Sequence, residues 1–334
     1  MGNKCYMNSL LQCLKNLYSL TSFILTNKFT QGKLIIEYQQ LLFNLISTKN
    51  EIVDASEYLK ALGKIDSCFD TYEQRDSSKL FLTHIKSLIE DSKLFNSGTE
   101  IDPNIEKNEP KLAKRYKKAK ERSPSKIYDF FFGFLKNINF CKQCGRQDIN
   151  YQPFSLIDLE LENEEGRIKK LEKLIENFED EKITDFACSC GAKIYEKTFL
   201  GRIPPILVFK FHRSVDGRHI NHKIDYPEKL YMRNYSDGFL KEKDNNDKNN
   251  PNFKYNLTGV MLHIGNAISG HKTAYSKNFL DNNNWYYFND SSKKKESKRN
   301  VLNDPAAFML FYISDSYKIT PDRIKKIKEL AEKK

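Results

Sequence analysis

No stretch of this sequence approaches the ~18 consecutive apolar residues that a membrane-spanning helix requires, which removes an integral helical membrane protein from consideration. The apolar segment Leu10–Leu25 has the look of a secretory leader. Lys15 and Asn16 interrupt it, however, and no small-residue cleavage site follows, so a leader is not expected. Cysteine is sparse and odd in number, with seven in 334 residues. That argues against a disulfide framework and for a reducing compartment, cytosolic or nuclear. Internal repeats are also lacking.

What is present suits a globular chain. Hydrophobic residues make up 39% and charged residues 30%, and 23 Phe with 18 Tyr supply ample material for a core. The net charge is +11. Such a balance permits acidic partners, anionic membranes or nucleic acid without choosing among them. Much of the excess lies in Lys111–Lys126 and Ser292–Arg299, both expected to be solvated loops, which argues against a nucleic-acid role.

Apolar spacing predicts helices over Cys5–Leu17, Lys33–Ile46 and Ser77–Leu94. Residues 97–124 are polar and Lys-rich with Pro103 and Pro110 as breakers, and read as a mobile insertion. Ile127–Asn139 is too apolar for a loop. Strand patterns follow at Phe154–Glu160, Ile206–His212, Gly259–Ile264, Lys272–Ser276, Trp285–Phe288 and Ala307–Ile313. Lys241–Asn252 reads as a polar loop. Helices first and an antiparallel sheet second make the fold class α+β. The basic segment 317–334 starts a helix at Thr320-Pro321-Asp322 and is expected to lie outside the core.

Three constellations carry chemistry. Cys5 opens an apolar-striped helix, where free amides, the helix dipole and neighbouring Lys4 would favour a thiolate; a buried structural thiol is the bland alternative. A thiol nucleophile needs a base. Of the six histidines, His271 stands at the head of a strand that turns through NFLDNNN into a return strand. A turn near Leu280 and Asp281 sets His271 opposite Asn289 or Asp290, either of which can orient the imidazole. His263 lies on the preceding strand and reads as structural or site-lining. Third, Cys141 and Cys144, followed by Gly145, and Cys188 and Cys190, followed by Gly191, form two tight pairs that fit tetrahedral zinc. With four thiolates no ligand position is left for water, so such a zinc would be structural.

At these residues the chain resembles the ubiquitin-specific proteases (USP family), over nearly all of residues 1–313. GNKCYMNSLLQCL resembles the family's Cys box. YNLTGVMLHIGNAISGHKTAYSK, WYYFND and FMLFY resemble its His box in order and spacing. IPPILVFKFHR resembles the strand before it, IYDFFFGFL with CKQCG the entry into its fingers, and YEQRDSSKLF its Gln-Gln-Asp-Ala-x-Glu-Phe-Leu segment. The resemblance implies a papain-like, thumb-palm-fingers architecture, with a catalytic domain over 1–316, fingers over about 135–205 and a C-terminal tail. It implies hydrolysis of isopeptide bonds at the C-terminal glycine of ubiquitin, with Cys5 as nucleophile, His271 as base and Asn289 or Asp290 orienting it. Asp76, His263 and Gly270 become candidate substrate-binding positions, Cys141, Cys144, Cys188 and Cys190 zinc ligands, and ubiquitin and ubiquitinated proteins the partners.

Four positions depart from the family pattern. The family's oxyanion Asn, five residues before the nucleophile, would precede Met1, so either the chain start is truncated or the Cys5 amide and its neighbours serve instead. Lys79 stands where the family has Glu. Lys272 replaces the Tyr that usually follows the His, and Lys4 the Thr before the Cys. A catalytically weak or inactive ubiquitin-binding scaffold is the competing reading, and a basic zinc module binding nucleic acid the third.

Overall fold

The computed structural model describes residues 3–48, 52–71, 73–93, 103–161, 169–215, 218–220, 222–235, 250–265 and 270–332. Helices come first: α1 (Cys5–Lys15), α2 (Tyr18–Thr26), α3 (Lys33–Ser47), α4 (Ser56–Ile65) and α5 (Ser77–Asp91). Then come α6 (Pro103–Asn108), α7 (Pro110–Arg122) and α8 (Lys126–Phe131). Leu10, Leu14 and Leu17 form one stripe on and just beyond α1, and all are buried. The α5 helix starts where the Asp76 carboxylate accepts the Ser78 amide at 2.8 Å, and α8 starts where the Ser125 hydroxyl accepts the Ile127 amide.

Two sheets follow. The first has four strands, β1 (Gly133–Cys141), β2 (Gln147–Phe154), β4 (Lys182–Ala187) and β5 (Lys193–Arg202), in the order β2-β1-β5-β4 and antiparallel throughout. The second contains β3 (Ile157–Glu160), β6 (Ile206–His212), β7 (Lys254–Gly265), β8 (Gly270–Asn278), β9 (Asn284–Asn289), β10 (Ser292–Glu296) and β11 (Ala307–Ser314). Its order is β10-β9-β8-β7-β11-β6-β3, with a short strand Lys229–Tyr231 also paired to β7. Two further helices are α9 (Leu171–Phe178), between β3 and β4 in the chain, and α10 (Lys298–Asn303) before β11. This is the α+β layout expected: helical thumb, large palm sheet and a ribbon of fingers. One expectation needs correcting, since β3 pairs with β6 in parallel, Ile157 opposite Phe209.

The palm sheet has apolar side chains on both faces. One face, with Met261, Ala274, Met309 and Phe311, packs on the helices; the other, with Val260, Leu262, Leu310 and Tyr312, packs on the 220s segment and α9. Strands buried on both faces read as continuous apolar runs, which is why AFMLFYI and ILVFKFH were recognisable.

The charged segments differ from expectation. Within 97–124, residues 97–102 lie outside the described residues, but 103–122 is helical. Leu112, Ala113 and Tyr116 on α7 are buried, and the fully buried Lys120 ammonium sits 2.8 Å from Asp129. A one-sided helix thus replaces the expected mobile loop. Likewise 292–296 is an edge strand and 298–303 a helix, with Lys293, Lys294 and Lys295 exposed along that edge; lysines there discourage edge-to-edge pairing. Of the loop Lys241–Asn252, residues 241–249 lie outside the described residues, as does Leu94.

The tail is a further correction. Helix α11 (Pro321–Glu332) packs on α2 and α3, with Ile327 and Ala331 buried in the helical core and Ile324 and Leu330 against it. Its apolar residues recur at helical spacing among exposed cations. Ile327→Ala should cost about 2–4 kcal/mol in urea unfolding, while Lys326→Ala on the exposed face should change stability by less than about 0.5 kcal/mol.

Candidate active site

Cys5 is the first residue of α1 and is buried. The Lys4 carbonyl accepts the amides of Met7 and Asn8 at 3.0 Å, and no side chain caps the helix. The amides of Cys5 and Tyr6 therefore remain as first-turn donors beside the thiol. The Lys4 ammonium donates to the carbonyls of Thr71 at 2.5 Å and Phe69 at 3.3 Å. It ties the start of α1 to the loop before α5, so its charge is held on that loop.

The far end of α1 is fixed to the palm. The Asn16 amide donates to the Ser276 hydroxyl at 2.9 Å, and that hydroxyl donates to the Gln12 carbonyl at 2.9 Å. Between them Cys13 lies over β7 at Gly259, where an added Cβ would meet the Cys13 sulfur at 3.0 Å; the glycine lets the helix sit directly on the sheet. From Cys13 back to Cys5 the helix rises roughly 12 Å, and from Tyr275 back to His271 the strand covers roughly 13–14 Å. The two run in step, so the thiol end of α1 reaches the level of His271. A second tie at that end confirms the direction: the Asn8 amide donates to Asp290 Oδ1 at 3.0 Å.

His271 lies on β8, and its Nε2 is 2.7 Å from Asn289 Oδ1. The hairpin places Ala274 opposite Phe288 and Asn278 opposite Asn284, with Asn282 and Asn283 at positive φ in the turn, where Asn is tolerated. Asp290 also has positive φ, 48°. Its Oδ2 is 3.9 Å from His271 Nε2, while its other oxygen holds Asn8. With Nε2–H donating to Asn289, the neutral imidazole keeps Nδ1 as its acceptor.

The other singled-out positions surround this pair. Gly270 is held by a residue that sequence reasoning did not single out, Gln74. Its side-chain amide donates to the Gly270 carbonyl at 2.7 Å, and its oxygen faces the Gly270 amide at 3.3 Å. The only signal was its place in YEQRDSSKLF. A Cβ at Gly270 would fall 2.4 Å from His263 Nε2, so His263 lines the floor beneath the strand end. Asp76 caps α5 and stands 4.0 Å from Lys210. Lys79 is 3.1 Å from Asp66 and donates to Cys68 Sγ, so a local carboxylate offsets the charge introduced there.

The second cluster lies at the tip of the fingers. Cys141 and Cys144 bracket the β1–β2 turn, and Cys188 and Cys190 the β4–β5 turn. Gly145 and Gly191 adopt φ of 72° and 84°, and their amides return to the Cys141 and Cys188 carbonyls. The sulfurs of Cys141 and Cys190 are 3.6 Å apart, those of Cys144 and Cys188 3.5 Å, and all four lie within 4.8 Å of one another. A tetrahedron of thiolates at the usual Zn–S bond of ~2.3 Å has edges of ~3.8 Å, whereas a disulfide needs ~2.05 Å. The Cys190 amide and the Cys144 sulfur hold Cys188 down to about 6, which favours the thiolate a metal binds. These residues fit zinc that ties two hairpin turns together and takes no part in chemistry.

The fold is the papain-like, α+β arrangement, here with zinc-bearing fingers. The model of the ubiquitin carboxyl-terminal hydrolase family matches residues 1–312, and the chain belongs to that family. It is 24% identical over 332 residues to ubiquitin carboxyl-terminal hydrolase Usp2 of Drosophila melanogaster, covering 93% of this chain and 34% of that protein. It is 26% identical over 299 residues to ubiquitin carboxyl-terminal hydrolase 2 of Homo sapiens, covering 83% and 48%. The chain thus spans between a third and a half of the length of these relatives. Among solved structures, a chain of the SAGA DUB module Ubp8/Sgf11/Sus1/Sgf73 bound to monoubiquitin superposes with a TM-score of 0.72 at 18% identity, covering 96% of this chain and 68% of that one. A form of that module bound to ubiquitin aldehyde gives 0.71 at 22%.

Purified protein should carry one zinc per chain by elemental analysis. Cys144→Ser should lose it and lower the thermal midpoint, because each ligand contributes folding free energy through the metal.

Proposed function

We propose that this chain is a thiol-dependent deubiquitinase, with residues 1–316 as its catalytic unit and ubiquitin and ubiquitinated proteins as its partners. The reading rests above all on one observation: His271 is bound through Nε2 to Asn289 at 2.7 Å on the strand to which the far end of α1 is anchored through Asn16 and Ser276, while Asn8 near the Cys5 end is tied to Asp290. Cys5, as thiolate, attacks the carbonyl carbon of the C-terminal glycine of ubiquitin. The thiol proton goes to His271 Nδ1, and Asn289 holds the ring in that tautomer. The developing oxyanion faces the first-turn amides of α1, aimed where negative charge grows. His271 then gives its proton to the departing lysine amine, leaving an acyl-enzyme, and assists water in releasing it.

The substrate tail approaches past Asp76, His263 and the Gln74–Gly270 bridge. Lys79, paired with Asp66, leaves this wall less acidic than the family pattern, which weakens the grip on a cationic tail. Reduced thiols and a nucleophile that needs them fit a cytoplasmic or nuclear setting. Among the described residues no helix is long and apolar enough to cross a membrane.

Turnover of ubiquitin–aminomethylcoumarin tests the reading. Cys5→Ala and His271→Ala should abolish release, and Asn289→Ala should lower kcat by about 10²–10⁴-fold through loss of imidazole orientation. Asp290→Ala should stay within about tenfold, since Asp290 holds Asn8 rather than the ring. An active Cys5→Ala variant would remove the proposal. Equal turnover by wild type and Asn289→Ala, with loss in Asp290→Ala, would transfer the orienting role to Asp290.

A further inference from the structure

Lys272 follows His271 on β8, an unusual neighbour for a thiol–imidazole pair. Side chains alternate along a strand, so Lys272 shares its face with Ala274 and Ser276, the face on which α1 docks. Its ammonium lies 3.9 Å from the centroid of the Phe308 ring on β11, a placement that favours the charged form. Burial nevertheless draws its pKa down to about 8, with Asp76 and Cys5 opposing the fall and Lys210 adding to it.

The charged and titratable groups around it come from every packed element: Cys5 on α1, Asp76 capping α5, Lys210 on β6, His263 directly across on β7, and His271 beside it. Asp76 is already engaged by the Ser78 amide and hydroxyl and faces Lys210. Of the acidic groups, Cys5 is the one whose charge changes during the reaction.

We propose that Lys272 is an electrostatic positioning residue for the nucleophile, its ammonium held on the Phe308 ring so that it stabilises the Cys5 thiolate from the palm side. The proposal rests on reading Cys5 as the nucleophile. It gives the departure at this position a purpose, because a cation beside the thiolate acts in the same sense as an imidazolium or a helix N-terminus. The sign is fixed by the pKa: the ammonium is present below pH of about 8 and disappears above it, so its help is confined to the lower range.

The test is the rate of iodoacetamide alkylation of Cys5, read by mass spectrometry on its own peptide from pH about 5 to about 10. Wild type is compared with Lys272→Met and Lys272→Arg. At pH about 7, Lys272→Met should react about tenfold more slowly, and Lys272→Arg should stay within about twofold of wild type. Above pH about 9 wild type and Lys272→Met should converge, because wild type has then lost the same charge. Loss of packing alone would produce no such convergence and no rescue by arginine. Lys272→Gln takes the place of the methionine variant if that variant does not fold. Superimposable profiles in wild type and the neutral variant overturn the proposal. A wild-type Cys5 that forms no adduct with a ubiquitin-based electrophile overturns the nucleophile reading instead.

Discussion

Everything proposed for this chain depends on how α1 lies on the palm. The helix carries the thiol at one end and is anchored at the other, where Asn16, Ser276 and Gln12 form a hydrogen-bonded chain and Gly259 leaves room for Cys13. A helix fixed at its far end delivers its first residue to a place set by its length, and α1 and β8 cover comparable distances from anchor to reactive end. The Asn8–Asp290 hydrogen bond closes the near end. The two adjacent side chains of the β9 end thus divide the work: Asn289 holds the ring and Asp290 holds the helix. Polar contacts of this kind gain little net stability but fix geometry, and geometry is what proton transfer between sulfur and imidazole requires.

Around this seam the molecule separates rigidity from reach. The central palm strands β7, β11 and β6 are covered on both faces. The fingers have little core of their own, and their four-stranded ribbon carries Ile183 and Phe186 exposed on its edge strand. A ribbon of that kind cannot hold its tip by apolar burial, and four thiols brought within metal-binding distance supply the missing constraint. Cations are handled in two ways. Some, such as Lys120 with Asp129, are buried in pairs. Others, such as Lys293, Lys294 and Lys295, line the outer strand of the palm.

Much of this was legible in the sequence because the relevant signals are local. The leucine stripe after Cys5, the apolar runs of β6 and β11, the two cysteine pairs and the hairpin turn through NFLDNNN each carry their period or turn chemistry within a few residues. What was missed depends on distant partners. Lysines on α7 read as a solvated loop because the sequence does not show that Asp129 receives both Lys120 and Tyr116 from that helix. The tail was placed outside the core although Ile324, Ile327 and Ala331 share one helical face, because the cations between them dominate the composition. Parallel pairing of β3 with β6 joins segments some fifty residues apart, which no local pattern encodes. The contrast between Asn289, 2.7 Å from His271 Nε2, and Asp290, 3.9 Å from it, depends on how the chain turns at the end of β9, which no local pattern encodes.

The central claim is that the Cys5 sulfur and the His271 imidazole are neighbours, and it can be tested with dibromoacetone, whose two electrophilic carbons flank one carbonyl. Alkylation of Cys5 by one arm leaves the other able to reach only a nucleophile in direct proximity. The account predicts a single cross-linked product joining the Cys5 and His271 peptides, formed through Nδ1 and absent in His271→Ala. Singly alkylated Cys5 with no link to His271 would contradict it.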